Sequence, residues 1–126
     1  MNDIIKIMVV EDNDFVRMQI VKFLEADDRE IVECINGQEA LDAISSDISI
    51  AIVDVRMEPI DGFEFIKSIR GQNIKTPVIL VTGDQNPDLL NEANKWGVAA
   101  VLMKPVQKER LMKIVDRTLQ AQRRAS

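Results

Sequence analysis

Along this chain the apolar positions change period repeatedly, and always in the same order. Residues 4–10, IIKIMVV, form a short β-branched run that stops at EDND, as a buried strand does. From Phe15 to Leu24 the spacing turns helical, with Val16, Ile20, Phe23 and Leu24 recurring on one side. A second strand is expected over 30–34, EIVEC, and a third over 48–55, ISIAIVDV. Between them Asn36, with Glu39 three residues on, provides an N-cap and a capping-box acid for a helix reaching about Ile44. Asp61 and Glu64 open the next helix in the same way, and Phe65, Ile66 and Ile69 supply its apolar side.

The second half repeats the alternation. TPVILVT, 76–82, reads as a fourth strand, with Pro77 near its start, where a missing N–H is tolerated. Asn86, Pro87 and Asp88 give a cap, a proline at the first helical position and an acid in the first turn. That helix is expected to stop at Trp96-Gly97. VAAVLM, 98–103, makes a fifth, short strand, and the helix after Pro105 carries Leu111, Ile114, Val115 and Leu119. Five strand–helix units with near-continuous apolar strands imply a parallel sheet covered on both faces. With right-handed crossovers this is an α/β, doubly wound three-layer sandwich, expected as a single domain over 1–126.

Composition narrows the chemistry more than the fold. The 126 residues are 46% hydrophobic and 29% charged, an ordinary soluble balance. No apolar run approaches the roughly 18 residues of a membrane span, and the N-terminus lacks a signal-peptide layout. A net charge of −5 argues against a nucleic-acid partner. One cysteine, Cys34, reads as a small core residue in a reducing cytoplasm, and the six methionines read as core filler. There is no histidine, so imidazole acid–base chemistry, imidazole zinc sites and a phosphohistidine step within this chain are excluded.

What remains is carboxylates, hydroxyls, lysine and a hard cation, and their positions coincide with strand ends. In doubly wound sheets ligands sit beyond the C-terminal ends of the strands. The first strand ends in Glu11 and Asp12, with Asp14 nearby; the third ends in Asp54, the fourth in Thr82, the fifth in Lys104. Clustered carboxylates repel unless a cation compensates, and Mg2+ suits carboxylates combined with a carbonyl, waters and phosphate oxygens. Lys104 and Thr82 add a positive charge and a hydroxyl for phosphoryl oxygens, so the set reads as a device for placing a phosphoryl group on Asp54.

VVEDN (9–13), VDVRMEPIDG (53–62), VTG (81–83) and LMKP (102–105), in that order, resemble the receiver domain of two-component response regulators, in the single-domain chemotaxis type. The resemblance covers residues 4 to 120 and implies a five-stranded sheet in the order 2-1-3-4-5. It implies Asp54 as phosphoacceptor, with Thr82 and Lys104 as its catalytic and switching partners. It further implies Mg2+, or Mn2+ in its place, held by Glu11, Asp12, Asp54 and the Arg56 backbone carbonyl, and a cis Lys104-Pro105 bond. The phosphodonor would be a histidine kinase or phosphotransfer protein, and no enzymatic activity beyond self-catalysed transfer and dephosphorylation is implied. Output would pass to a protein target through the fourth helix, fifth strand and fifth helix, a face that also serves homodimers.

Three positions depart from that pattern. Val101 stands where receivers carry a switch aromatic, which leaves open a receiver-fold module that acts without phosphorylation. Pro59 comes one residue later than usual in a loop of the same length, and Glu58 adds a negative charge near the site. Arg56 and Asp84 each follow a key residue by two, and adjacent third and fourth strands would let them pair across the mouth and hinder attacking water. Trp96 belongs either to helix-end packing or to an exposed partner patch. A flavin-binding reading fails because EDND repels phosphate, and a nucleotide-cleaving one fails because Arg56 occupies the place of a second acid.

Overall fold

A computed structural model describes residues 4–125. Five strands alternate with five helices: β1 (Ile5–Val10), α1 (Asp14–Leu24), β2 (Arg29–Cys34), α2 (Gly37–Ala43), β3 (Ile48–Asp54), α3 (Gly62–Gly71), β4 (Val78–Thr82), α4 (Pro87–Lys95), β5 (Ala100–Met103) and α5 (Lys108–Ala125). All neighbouring strands are parallel, in the order β2-β1-β3-β4-β5, as expected.

Strand periodicity divides the core in two. Met8, Val10, Ala51, Val53, Val78 and Leu80 face one way and join Ala40, Phe65, Ile66, Ile69 and Ala93 from α2, α3 and α4. Ile7, Val9, Ile50, Ile52, Ile79 and Val81 face the other and meet Ile20, Leu24, Leu111 and Val115 from α1 and α5. Because both faces are covered, the central strands are apolar almost throughout, with Lys6 and Ser49 near their starts and Asp54 and Thr82 at their ends as exceptions, which is what made them legible. Cys34 lies in the first layer, where burial and then the charge of Glu39 push its thiol up to about 11. A thiol so protonated behaves as a core residue.

Helix ends follow local chemistry. Asn36 Oδ1 accepts from the Glu39 N–H at 2.8 Å, and Asp61 Oδ1 from the Glu64 N–H at 2.8 Å. The capping box at α2 is offset, because Glu39 Oε1 accepts from Ile35 N–H (3.4 Å), one residue before the cap. At α1 the cap is Asn13, whose Oδ1 accepts from Val16 N–H at 3.0 Å, so the helix begins a residue earlier than its apolar spacing indicates. α4 closes on Gly97 at φ +64, with the Val98 N–H reaching the Ala93 carbonyl at 3.2 Å. This αL turn consumes Val98 and delays β5 to Ala100. α3 closes identically on Asn73 at φ 62, with Ile74 N–H on Ile69 O at 2.9 Å.

The methionines do not behave uniformly. Met8 and Met57 are buried, whereas Met18 is 65% and Met103 40% exposed, so core filling accounts for only part of the set. Among the described residues no helix is long and apolar enough to cross a membrane.

Phe65 is fully buried between α3 and the sheet. Phe65→Ala is expected to cost about 3–5 kcal/mol, seen in urea denaturation as a lower midpoint with an unchanged slope.

Candidate functional site

Strand register brings the chemical residues together. Val10 pairs with Val53, which sets Glu11 beside Asp54 one step further along. Asp54 pairs with Val81 and Thr82 with Met103, so Thr82 and Lys104 follow at the same edge. The Lys104 N–H donates to the Thr82 carbonyl at 2.8 Å, extending the β4–β5 ladder by one rung. The sheet thus presents its C-terminal ends as one row.

Three carboxylates and one ammonium meet in this row. Lys104 Nζ lies 2.8 Å from Glu11 Oε1 and 3.2 Å from Asp54 Oδ1. Glu11 and Asp54 are only 1% and 5% exposed. Burial pulls the Lys104 pKa down, but the close contact with the Glu11 carboxylate and the charges of Asp54 and Glu11 outweigh it and hold the ammonium above its ordinary 10.5. Asp12 moves above its ordinary carboxylate value, first through desolvation and then through its contact with Glu11. One lysine therefore does not neutralise the cluster.

The carboxylate oxygens of Glu11, Asp12 and Asp54 lie within 4.8 Å of one another. Glu11 Oε1 is buried with no well-directed donor, since Lys104 supplies charge there rather than an aligned N–H. Hard oxygen donors, excess negative charge and an under-satisfied buried oxygen fit a divalent cation such as Mg2+. The Arg56 carbonyl belongs to the loop leaving β3 at this edge.

Other residues hold the site in shape, and several were not singled out in the sequence. Gly62 is required by close approach, because a Cβ there would meet the Asp54 carbonyl oxygen at 2.7 Å. Its N–H donates to Val55 O at 2.9 Å, fastening the start of α3 under the end of β3. Arg17 reaches from α1 to the Glu11 carbonyl at 2.8 Å, and also pairs with Asp14 at 2.6 Å and Glu33 at 3.4 Å. Asp14 is thereby turned away from the cluster. Thr82 Oγ1 accepts from the Asp84 N–H at 3.0 Å, which orients the hydroxyl.

Each departure from the receiver pattern has a definite place. Arg56 is ion-paired to Asp84 across the mouth, and that hydrogen bond draws the Asp84 carboxyl below its ordinary value. Val101 is partly buried against the α2–α4 layer. Trp96 packs at the end of α4 against the same layer and donates its indole N–H to Glu92 Oε1 at 3.0 Å. Both Glu58-Pro59 and Lys104-Pro105 are cis; only the second was expected.

The response regulator receiver domain model matches residues 7–116. The chain belongs to that family, the receiver domains of two-component systems. The regulatory protein AtoC of Escherichia coli K12 is 32% identical over 124 residues, covering 97% of this chain and 27% of AtoC. The transcriptional regulatory protein FlgR of Helicobacter pylori is 32% identical over 114 residues, 90% of this chain and 29% of FlgR. This receiver thus spans less than a third of the length of these curated relatives. Among solved structures, the chemotaxis protein CheY4 of Vibrio cholerae superimposes at a TM-score of 0.82 with 30% identity, covering 91% of this chain and 98% of CheY4. A CheY-like receiver domain protein from Methanospirillum hungatei JF-1 reaches 0.90 over 98% of this chain and all of that one; at 21% identity the likeness is of fold.

Lys104→Met should lower stability in EDTA at pH 7 by about 1–3 kcal/mol, because it leaves two buried carboxylates without their cation. Added Mg2+ should restore more stability to the variant than to the parent in thermal melts. With its folded pKa raised, Lys104 contributes stability that is complete below pH 10.5 and lost as pH rises through the folded value. The parent in EDTA should therefore weaken above pH 10.5 through a step that the variant lacks.

Proposed function

We propose that this receiver accepts a phosphoryl group on Asp54 from a histidine kinase or phosphotransfer protein, in a Mg2+-dependent reaction. The reading rests on one observation above all: Asp54 is buried at a strand end in contact with Lys104, within a cluster whose acidity exceeds its positive charge. An Asp54 carboxylate oxygen attacks phosphorus, an acyl phosphate P–O bond forms, and the P–N bond to the donor imidazole breaks with its electron pair leaving on nitrogen. Lys104 holds a phosphoryl oxygen by charge, and Thr82 exchanges its bond with the Asp84 N–H for a hydrogen bond to another. Glu11, Asp12, Asp54 and the Arg56 carbonyl would hold the metal. Bound there, Mg2+ or Mn2+ supplies Lewis-acid neutralisation of the transferring group.

Removing Thr82 Oγ1 from the Asp84 N–H alters the β4–α4 loop, and so the face made by α4, β5 and α5. That face is the proposed contact for a downstream protein target or a second copy. Val101 offers no ring to rotate there, so the signal would pass through the loop and α4. The proposed setting is cytoplasmic, without direct contact with nucleic acid or membrane and without an enzymatic activity beyond phosphoryl transfer and autodephosphorylation.

Incubation with acetyl phosphate and Mg2+ should add one phosphoryl group by intact-protein mass spectrometry, and EDTA or Asp54→Asn should abolish it. An adduct that persists in Asp54→Asn would overturn the assignment. The Arg56–Asp84 pair narrows the approach to Asp54, so Arg56→Ala should shorten the acyl-phosphate half-life about two- to tenfold, a modest effect in keeping with a pair open to solvent. An unchanged half-life would leave the pair without that role.

A further inference from the structure

Next to the carboxylate cluster, a groove of about 690 Å3 runs between the β3–α3 loop, the first turn of α3, and α4. Its volume falls within the roughly 300–1,000 Å3 of pockets that bury a small ligand or a few side chains. Its floor is apolar, made by Val55, Met57, Phe63 and Leu89. Its rim is acidic: Glu58, Asp61, Asp88 and Glu92 line it in addition to Asp12 and Asp84. Arg56 is the one cation in the lining, and Asp84 already engages it.

We propose that this groove docks a basic, amphipathic segment of a partner protein. Apolar side chains of the segment would lie on Phe63 and Leu89, and its lysines or arginines would face the rim. Charge complementarity selects this occupant. A neutral apolar helix would cover the floor and leave the rim carboxylates repelling one another in a drier medium, while a small polycation would satisfy the rim and leave Phe63 wet. Nucleic acid has the wrong sign. A segment carrying both features meets floor and rim together, in the manner of a helix laid into a groove.

A reporter lies beside the groove, coupled to it through Glu92. Glu92 accepts from the indole of Trp96, the chain's single tryptophan, and Lys67 lies 3.6 Å from the same carboxylate. A cation arriving at Glu92 competes with the indole N–H and with Lys67, and so changes the surroundings of the ring.

The test is a Trp96 fluorescence titration of the full chain with a short synthetic Leu/Lys amphipathic helical peptide, alongside a scrambled peptide of the same composition and spermine. Expected are a saturable change, affinity that falls with salt, and binding at least tenfold tighter than the scrambled peptide. Glu58→Lys with Asp88→Lys should weaken binding at least tenfold, and Asp42→Lys on α2 should leave it unchanged. Phe63→Ala should weaken it too, but the exposed rim variants decide the matter if that variant folds poorly. Equal weakening by Asp42→Lys, or equal binding of the scrambled peptide or of spermine, would overturn the proposal in favour of unspecific attraction to an acidic surface. Absence of binding would overturn it outright. Self-association without peptide, abolished by the rim variants, would overturn it in favour of a second copy bringing its lysine- and arginine-rich α5.

Discussion

Burying Glu11 and Asp54 side by side is possible here because Lys104 stands between them, 2.8 Å from one and 3.2 Å from the other. Desolvating a carboxylate is costly, and desolvating two at neighbouring strand ends adds their repulsion. The three residues come from β1, β3 and the exit of β5, so one ammonium ties both sides of the sheet edge across β4. The lysine can reach them because its own N–H continues the β4 ladder through the Thr82 carbonyl. Backbone pairing and charge pairing therefore support each other at this edge.

The remaining imbalance gives the site its chemistry. With Asp12 included, three carboxylates face one ammonium, and Glu11 keeps an oxygen without a well-directed donor. A fully neutralised edge would have no affinity for a divalent ion, and a bare acidic edge would not pack. The arrangement lies between the two, with the acids held rigidly from behind by Arg17 on the Glu11 carbonyl and by Gly62 under the Asp54 carbonyl. The same excess of acid continues outward onto the rim of the α3–α4 groove, where the apolar floor adds a second kind of complementarity.

Much of this was legible in the chain because the physics involved is local or periodic. Strands covered on both faces are apolar on successive residues, so the runs at 50–53 and 78–81 announce themselves. Asn36, Asp61 and Asn86 satisfy N–H groups two or three residues away, and their spacing alone marks helix starts. Where the reading slipped, a local interaction had been overlooked or a tertiary one intervened. Asn13 caps α1 beside acids that drew attention to a different role. Met18, one of the methionines expected in the core, is 65% exposed on α1 beside Phe15 at 76%. Apolar identity marks what can be buried, not what is.

The order of elements, the acids and lysine at their ends and the absence of histidine are properties of the chain, and with its four motifs they point to a receiver before any coordinate is seen. Which strand lies beside which is a matter of crossovers closing over a shared core, and only that closure brings Glu11, Asp54 and Lys104 into contact. The same holds for Arg56 on Asp84, for the turning of Asp14 onto Arg17, and for the groove behind the site. Each joins side chains far apart in sequence, or chooses among partners near in sequence, and local propensity carries no information about either. Distance in space, set by the packing of both faces of the sheet, selected them.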